Sequence, residues 1–316
     1  MKAIHLHTKG GPEQVLYEEA PKPVLLEGDA LVKVLASGIT RDELSWGPTY
    51  TDEKGKSRVP TIPGHELCGV VEALALGVTG LLAGETVYGL TSFFRNGTAA
   101  EFVAVNAADL APKPRTLDPV EAASIPLSAL TAWQALFDHA HLLPGQKILI
   151  HGGAGGVGIF AVQIARWHGA HVIATAAGDS ADLVKGLGAQ RVIDYKTEKF
   201  EEEVSDVDVV LDCIGGDVQA RSWQVLRRGG VMVSIAGESV EQPSPDFGVK
   251  GIFFIVKPSR IQLMEIGNLI DRGFIRTVIG SVFPLDQARQ AFEMSSQSGK
   301  QGKIVLRVGS ISPATP

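Results

Sequence analysis

At 316 residues the chain is too long for one compact core and suits two domains of roughly 150 residues each. A 45% hydrophobic share with 20% charged residues excludes a disordered or fibrous chain, and 36 glycines and 17 prolines indicate many tight turns. The net charge of -6 offers no clustered cations for phosphate backbones or anionic lipid, so nucleic acid and membrane are not expected as partners.

The first residues, Met1 to Leu6, run into polar positions at once and lack the apolar stretch of a secretory signal. No run approaches the ~20 apolar residues of a membrane span, so a cytoplasmic protein is expected. Two cysteines, Cys68 and Cys213, lie far apart inside apolar stretches that read as strands, and are expected as free thiols.

Up to about residue 115 the chain shows short apolar or alternating runs broken by glycine and proline: Ala30 to Ala36, Gly69 to Ala73, Ala100 to Val105. This predicts a mainly β domain. Asn96-Gly97 reads as a type I′ hairpin turn. Near Pro112-Lys113-Pro114 the texture changes, with helical spacing at Pro119 to Ala123 and Leu127 to Ala140. A boundary there gives one domain of 1–117 plus 273–316 and a second of 118–272.

From Lys147 onward, strands alternate with amphipathic helices: Ile148 to Ile150, Gly158 to His168, His171 to Thr175, Ala181 to Leu187. Further strands are predicted at Val207 to Asp212, Gly230 to Ile235 and Gly251 to Val256. Such alternation predicts right-handed βαβ units in an α/β fold with a doubly wound parallel sheet of six strands. A helix over Ser259 to Asp271, stopped by Gly273, closes this half, and the strand Gly302 to Val308 returns to the first domain.

The strongest chemical signal is His151-Gly152-Gly153-Ala154-Gly155-Gly156-Val157-Gly158, between a predicted strand and a predicted helix. Gly153 would permit the tight turn, Gly155 would admit a pyrophosphate to the backbone, and Gly158 would let helix and strand pack closely. The helix N-terminus then offers N–H donors to the anion. The second strand ends Ala174-Thr175-Ala176-Ala177, without the carboxylate that would bind a ribose 2′-OH. NADP is therefore favoured, with Ser180, Lys185, Arg191, Tyr195 and Lys196 near a 2′-phosphate. Asp179 lies about 20 residues past Gly158 and is an alternative ribose ligand; it reads rather as the cap of the helix from Ala181.

Several ordered motifs extend this reading over the whole chain: Pro63-Gly64-His65-Glu66, Gly84 to Gly89, Leu130-Thr131-Ala132-Trp133, the Gly152 to Gly158 turn, Leu187-Gly188-Ala189, Val192 to Tyr195, Asp212 to Gly216, and Gly302 to Leu306. With them the chain resembles the zinc-independent quinone oxidoreductase branch of the medium-chain dehydrogenase/reductase superfamily. That resemblance implies a GroES-like β domain, a Rossmann domain and a nicotinamide held between them. By position it places Thr131 and the loop after Val256 near the nicotinamide, with Phe254 and Ile255 also among the cofactor-binding residues. It sets Gly153 to Val157, Thr175, Ala176, Cys213, Ile214, Ala236 and Gly237 along the cofactor, and Ser180 and Tyr195 at the 2′-phosphate. Phe253 and Phe254 are expected on the last Rossmann strand, either in the core or at the interface of a homodimer.

The sister branch, the zinc alcohol dehydrogenases, binds catalytic zinc through Cys, His and a third Cys or carboxylate. Thr40 stands at the first such position here, His65 keeps the second, and Leu127-Ser128-Ala129 offers no ligand at the third. Glu66 and Cys68 are a strained substitute. The four-cysteine lobe is also missing, and no metal is expected. Hydride delivery to a quinone or enone gives a delocalised phenolate or enolate, which hydrogen-bond donors can stabilise without a Lewis acid. Thr40, Tyr50 and His65 are the candidate catalytic residues, and Trp46, Phe93 and Phe94 the candidate pocket walls. The expected activity is NADPH-dependent reduction of a small-molecule quinone or α,β-unsaturated carbonyl. Two alternatives are a zinc alcohol dehydrogenase with an atypical ligand set and a non-enzymatic NADPH-binding protein.

Overall fold

A computed structural model describes residues 1–237, 248–297, 299 and 301–309. The chain divides into two compact units: residues 1–127, 258–273 and 277–316, and residues 128–257 with 274–276.

The first unit is built on antiparallel pairing. β1 (Lys2–His5) and β2 (Leu16–Glu19) form a separate two-stranded sheet. β3 (Asp29–Ile39) pairs with β4 (Glu66–Leu74), β4 with β5 (Thr86–Leu90), and β3 also with β6 (Phe102–Asn106). β7 (Leu110–Pro112) closes that side against β5. Alternation buries Val32, Val34, Leu67, Val71, Val87 and Val103 in one shared core, as period-2 strands with one apolar face require.

The second unit carries β8 (Lys147–Ile150), β9 (His171–Ala176), β10 (Arg191–Asp194), β11 (Val207–Asp212), β12 (Leu226–Ser234) and β13 (Lys250–Phe253). All neighbouring pairs are parallel, in the order β10-β9-β8-β11-β12-β13. That is the doubly wound Rossmann order, with its switch point between β8 and β11. Strand β8 is an almost wholly buried apolar run, the pattern expected of a strand covered on both faces. The helix Gly158–Trp167 buries its residues from Gly158 to Ala165, because its chain is apolar nearly all round.

After this unit the chain returns to the first. β14 (Ile279–Pro284) and β15 (Lys303–Arg307) are parallel to each other, and β15 pairs antiparallel with β3. The predicted terminal strand thus lies in the first sheet, and Gly273 follows the helix Arg260–Asp271 with φ +77°.

Four sequence expectations differ in detail. Residues 118–127 and 258–272 belong to the first unit. The reasons are local: the Tyr88 hydroxyl donates to the Leu263 carbonyl, and Asp271 accepts from the Arg115 and Thr116 backbones. Asn96-Gly97 makes no I′ turn, since neither residue has positive φ. Instead the Asn96 Oδ1 accepts from the Ile62 N–H at 3.2 Å, and Gly97 lies so close to Gly64 that a Cβ would collide with its carbonyl. Phe254 lies just past β13, its ring 4.3 Å from that of His139, and Cys213 likewise follows β11. Among the described residues no helix is long and apolar enough to cross a membrane.

Candidate active site

In the second unit the carboxyl ends of β8, β9, β11 and β12 converge on the glycine turn. Gly152 holds φ +75°, so the left-handed position belongs to it and not to Gly153. Gly153 is small for a different reason: a Cβ there would come within 2.9 Å of the Ala174 Cβ, while its N–H donates to the Thr175 carbonyl at 2.9 Å. At Gly158 a Cβ would lie 2.8 Å from the Gly153 Cα, so the helix can start against the turn only with glycine. Gly155 meets only the Gly152 carbonyl, at 3.2 Å. Its side of the turn admits a ligand, beside the N-terminus of a ten-residue helix. These residues fit the pyrophosphate of a dinucleotide.

The predicted neighbours come together around this turn. The Ile214 Cδ1 would lie 3.2 Å from a Cβ on Gly152, with the Cys213 Cβ at 3.8 Å, and a Cβ on Gly215 would lie 2.9 Å from the Ala236 carbonyl. The Thr175 Oγ1 accepts from the Gly152 N–H at 3.2 Å, and Ala154 and Ala176 are buried. Thr131 is buried in its helix, and Ile255 is exposed. Gln134 pins the segment after β13 to the helical stretch that carries Thr131, through both the N–H and the carbonyl of Lys257. Gly237 closes the described part of the loop after β12.

Sequence reasoning missed the layer that holds these loops. The Asp212 Oδ1 accepts from the Ile214 and Gly215 N–H groups, each at 2.9 Å, and its Oδ2 accepts from Ser234 and Gln219. Buried His151 bridges Thr175 and Ser222 through its two ring nitrogens, at 3.2 and 2.8 Å. Burial pushes its imidazole down to about 4, so it stays neutral near pH 7.

At the end of β9 the expected phosphate ligands are only partly placed as predicted. Ser180, not Asp179, stands at the N-cap position of the helix Ala181–Gly186, and its hydroxyl lies 3.2 Å from the Asp179 carboxylate. Tyr195 is exposed. Arg191 is turned away, its guanidinium bound to Glu203. The Asp194 carboxylate lies 2.6 Å from where a Cβ on Gly178 would stand.

In the first unit, Glu43 organises the other candidate residues. Its carboxylate accepts from the backbone N–H of Thr40 at 3.3 Å and from that of Gly64, which holds φ +93°. The Thr91 N–H then donates to the His65 carbonyl at 2.7 Å. Thr40, His65 and Thr91 are thereby held on one framework, and the buried Thr40 Oγ1, Thr91 Oγ1 and both His65 ring nitrogens have no hydrogen-bond partner. Trp46 stacks on the His65 ring at 6.0 Å and 14°, and Phe93 meets its edge at 4.8 Å. Burial, helped by the charge of Arg58, pushes this imidazole down to about 3. It therefore acts as a neutral donor or acceptor, not as an imidazolium acid.

Tyr50 does not join them. It is buried rather than solvated, and its hydroxyl donates to the Leu44 carbonyl at 2.7 Å. Thr91 and Glu43 were missed as functional residues, because only the β4–β5 pairing and the fold of the 40–50 loop bring them to His65.

Two family models match the chain: an alcohol dehydrogenase GroES-like domain over residues 26–115 and a zinc-binding dehydrogenase over residues 187–306. A probable zinc-binding oxidoreductase, mitochondrial, of Arthroderma benhamiae is 33% identical over 307 residues, covering 91% of each chain. The 2-methylene-furan-3-one reductase of Solanum lycopersicum is 31% identical and covers 90% of this chain and 73% of its own. The solved quinone oxidoreductase of Coxiella burnetii superposes with a TM-score of 0.89 at 29% identity, over 98% of this chain and 99% of that one. A GroES-like domain followed by a Rossmann sheet defines an alcohol-dehydrogenase-like oxidoreductase. The chain belongs to the medium-chain dehydrogenase/reductase superfamily.

The zinc implied by part of that family does not fit around His65. Thr40 supplies only a hydroxyl. The Glu66 carboxylate is already held by the buried Lys303 ammonium and by the Leu127 N–H at 3.0 Å. Among the described residues, the one cluster of three metal-type ligands does not include His65.

Proposed function

We propose that the protein is an NADPH-dependent oxidoreductase that reduces a quinone or another α,β-unsaturated carbonyl compound without zinc. The observation that carries this reading is the set of four buried polar atoms on Thr40, His65 and Thr91 without protein partners, walled by Trp46 and Phe93. Buried donors left unpaired cost about 1–3 kcal/mol each, so such a set is a place for a ligand's oxygen. The flat aromatic walls suit a planar conjugated acceptor.

When bound, the reduced nicotinamide supplies a hydride. The glycine turn and the N-terminus of the helix Gly158–Trp167 hold the pyrophosphate, and Asp212 and His151 keep the surrounding loops in place. Hydride arriving at an enone β-carbon, or on a quinone, leaves negative charge on the acceptor oxygen. Neutral His65 and the hydroxyls of Thr40 and Thr91 donate hydrogen bonds to that oxygen, and water supplies the proton that completes the reduction. β13 ends the strand order of its sheet among the described residues, and a second copy would pair there to form a homodimer.

A second reading concerns the cofactor alone. Asp179 and Asp194 beside Gly178 to Ser180 favour a ribose diol, and therefore NADH. Consumption of NADPH and NADH is followed in parallel against quinones, enones and saturated aldehydes, with and without a chelator. Chelator-resistant turnover of quinones or enones that is faster with NADPH is the expected result. Faster turnover with NADH establishes the second reading; turnover of saturated aldehydes alone, or loss of activity to the chelator, overturns the first. NADPH binding without turnover on any acceptor leaves a binding protein.

A further inference from the structure

The two-stranded sheet β1–β2 carries a group of side chains that the proposed reaction does not use. His5 ends β1, His7 follows two residues on, and Glu18 lies on β2. The His5 Nδ1 lies 3.2 Å and the His7 Nε2 2.8 Å from the same carboxylate oxygen, Glu18 Oε2. All three ligand atoms fall within 4.8 Å of one another. A tetrahedral ion with bonds of about 2.0–2.1 Å needs its ligand atoms roughly 3.3 Å apart, so small side-chain adjustments suffice to admit one.

We propose that His5, His7 and Glu18 form a binding site for a divalent transition-metal ion of the zinc type, which clips β1 to β2. Two imidazoles and one carboxylate favour zinc, cobalt or nickel over magnesium or calcium, which take oxygen ligands. The two rings stand at 67° to each other with centroids 5.8 Å apart, so they do not stack face to face. Side-chain exposure of 12% for His5, 49% for His7 and 38% for Glu18 gives the ion a path in and leaves a fourth position to water. The nearby ammonium of Lys2 is turned to Glu19 at 2.8 Å, which reduces its repulsion of a cation.

The clip has a structural use. A two-stranded sheet is marginal by itself; β1 and the residue after it are tied to the neighbouring chain at the bridges Ala3 to Ala100 and Leu6 to Thr61 and by burial of Ala3, Ile4 and Leu6, and the ion would add a tie to β2. An ion that binds only the folded chain stabilises it by RT ln(1 + c/Kd), where c is the free ion concentration.

The test uses the full chain without an affinity tag, stripped with a chelator and titrated with cobalt(II) while visible absorption is recorded. The expected result is one cobalt per chain with the intense bands of a tetrahedral centre, displaced by zinc. Affinity falls at least about tenfold in His7→Ala and in Glu18→Gln, both exposed enough to spare the fold. Zinc also raises the thermal midpoint of the wild type and not of the two variants. Absence of cobalt uptake, or uptake of equal strength in both variants, overturns the proposal.

Discussion

The glycine turn and the His65 pocket make opposite uses of the chain. At the turn, the proposed cofactor binding would follow from the backbone: Gly152 supplies a positive φ, and Gly153 and Gly158 leave out side chains for which there is no room. Around His65, the proposed function would follow from side chains whose charges and hydroxyls are buried, some paired and some not. A backbone site is spelled out by residues next to one another. A side-chain site is assembled at the ends of β3, β4 and β5 and on β15, and its members sit far apart in sequence.

The largest effect is expected where that assembly buries charge. Lys303→Met leaves the Glu66 carboxylate buried without its cation and should cost about 3–5 kcal/mol in denaturant unfolding. Glu66→Leu combined with Lys303→Met removes both charges and should recover most of that loss. A double variant as unstable as the single one would mean that the pair is not coupled as the structure shows. The turn should respond in another way. Gly158→Ala forces a Cβ to within 2.8 Å of the Gly153 Cα and should lower stability by about 1–3 kcal/mol while abolishing cofactor binding. Gly155→Ala should leave the thermal midpoint nearly unchanged but weaken NADPH binding by roughly tenfold, about 1.4 kcal/mol. Equal damage to stability from the two alanines would erase the distinction between glycine for packing and glycine for ligand.

The two sites differ in pH response as well. Burial pushes the Glu43 carboxyl up to about 7, against an ordinary value of 4.5. A folded-state value above the unfolded one means that this group's contribution is complete below pH 4.5 and is lost as pH rises toward 7. Relative to Glu43→Gln, the wild type should therefore lose stability over that window, by at most roughly 3.5 kcal/mol at about 1.4 kcal/mol per pH unit. Unfolding midpoints of both proteins across the window give the difference directly, and a constant difference would sink the assignment. His151 runs the other way: with its imidazole pushed down to about 4, its contribution is complete above 6.5 and is lost as pH falls.

How much of this was legible in the sequence follows the same division. The order of strands and helices from Lys147 to Val256 could be read because apolar runs and amphipathic periods are local signals. The glycine turn could be read because its spacing encodes the geometry, although the left-handed residue proved to be Gly152. Asn96-Gly97 misled, since its glycine answers to the Gly64 carbonyl across the sheet and not to its own neighbours. Glu43, Thr91 and Lys303 gave no signal as site residues, because each matters through a partner that only strand pairing brings near. Tyr50 shows the same limit: it reads as a candidate catalytic residue, whereas the fold buries it with its hydroxyl on the Leu44 carbonyl.

Tyr50 and Thr91 give the finest test, because the smallest changes should have opposite signs. Tyr50→Phe removes a satisfied buried hydrogen bond to the Leu44 carbonyl and should cost about 1 kcal/mol of stability with no change in kcat/KM. Thr91→Val removes a buried hydroxyl without a partner and should leave stability unchanged or slightly higher. Its kcat/KM for the acceptor should nevertheless fall, because the lost group is one proposed to bind the oxyanion. Paired measurements of unfolding and turnover decide the matter. A Thr91→Val variant that is destabilised yet fully active would make Thr91 a structural residue like Tyr50, and the pocket would then rest on Thr40 and His65 alone.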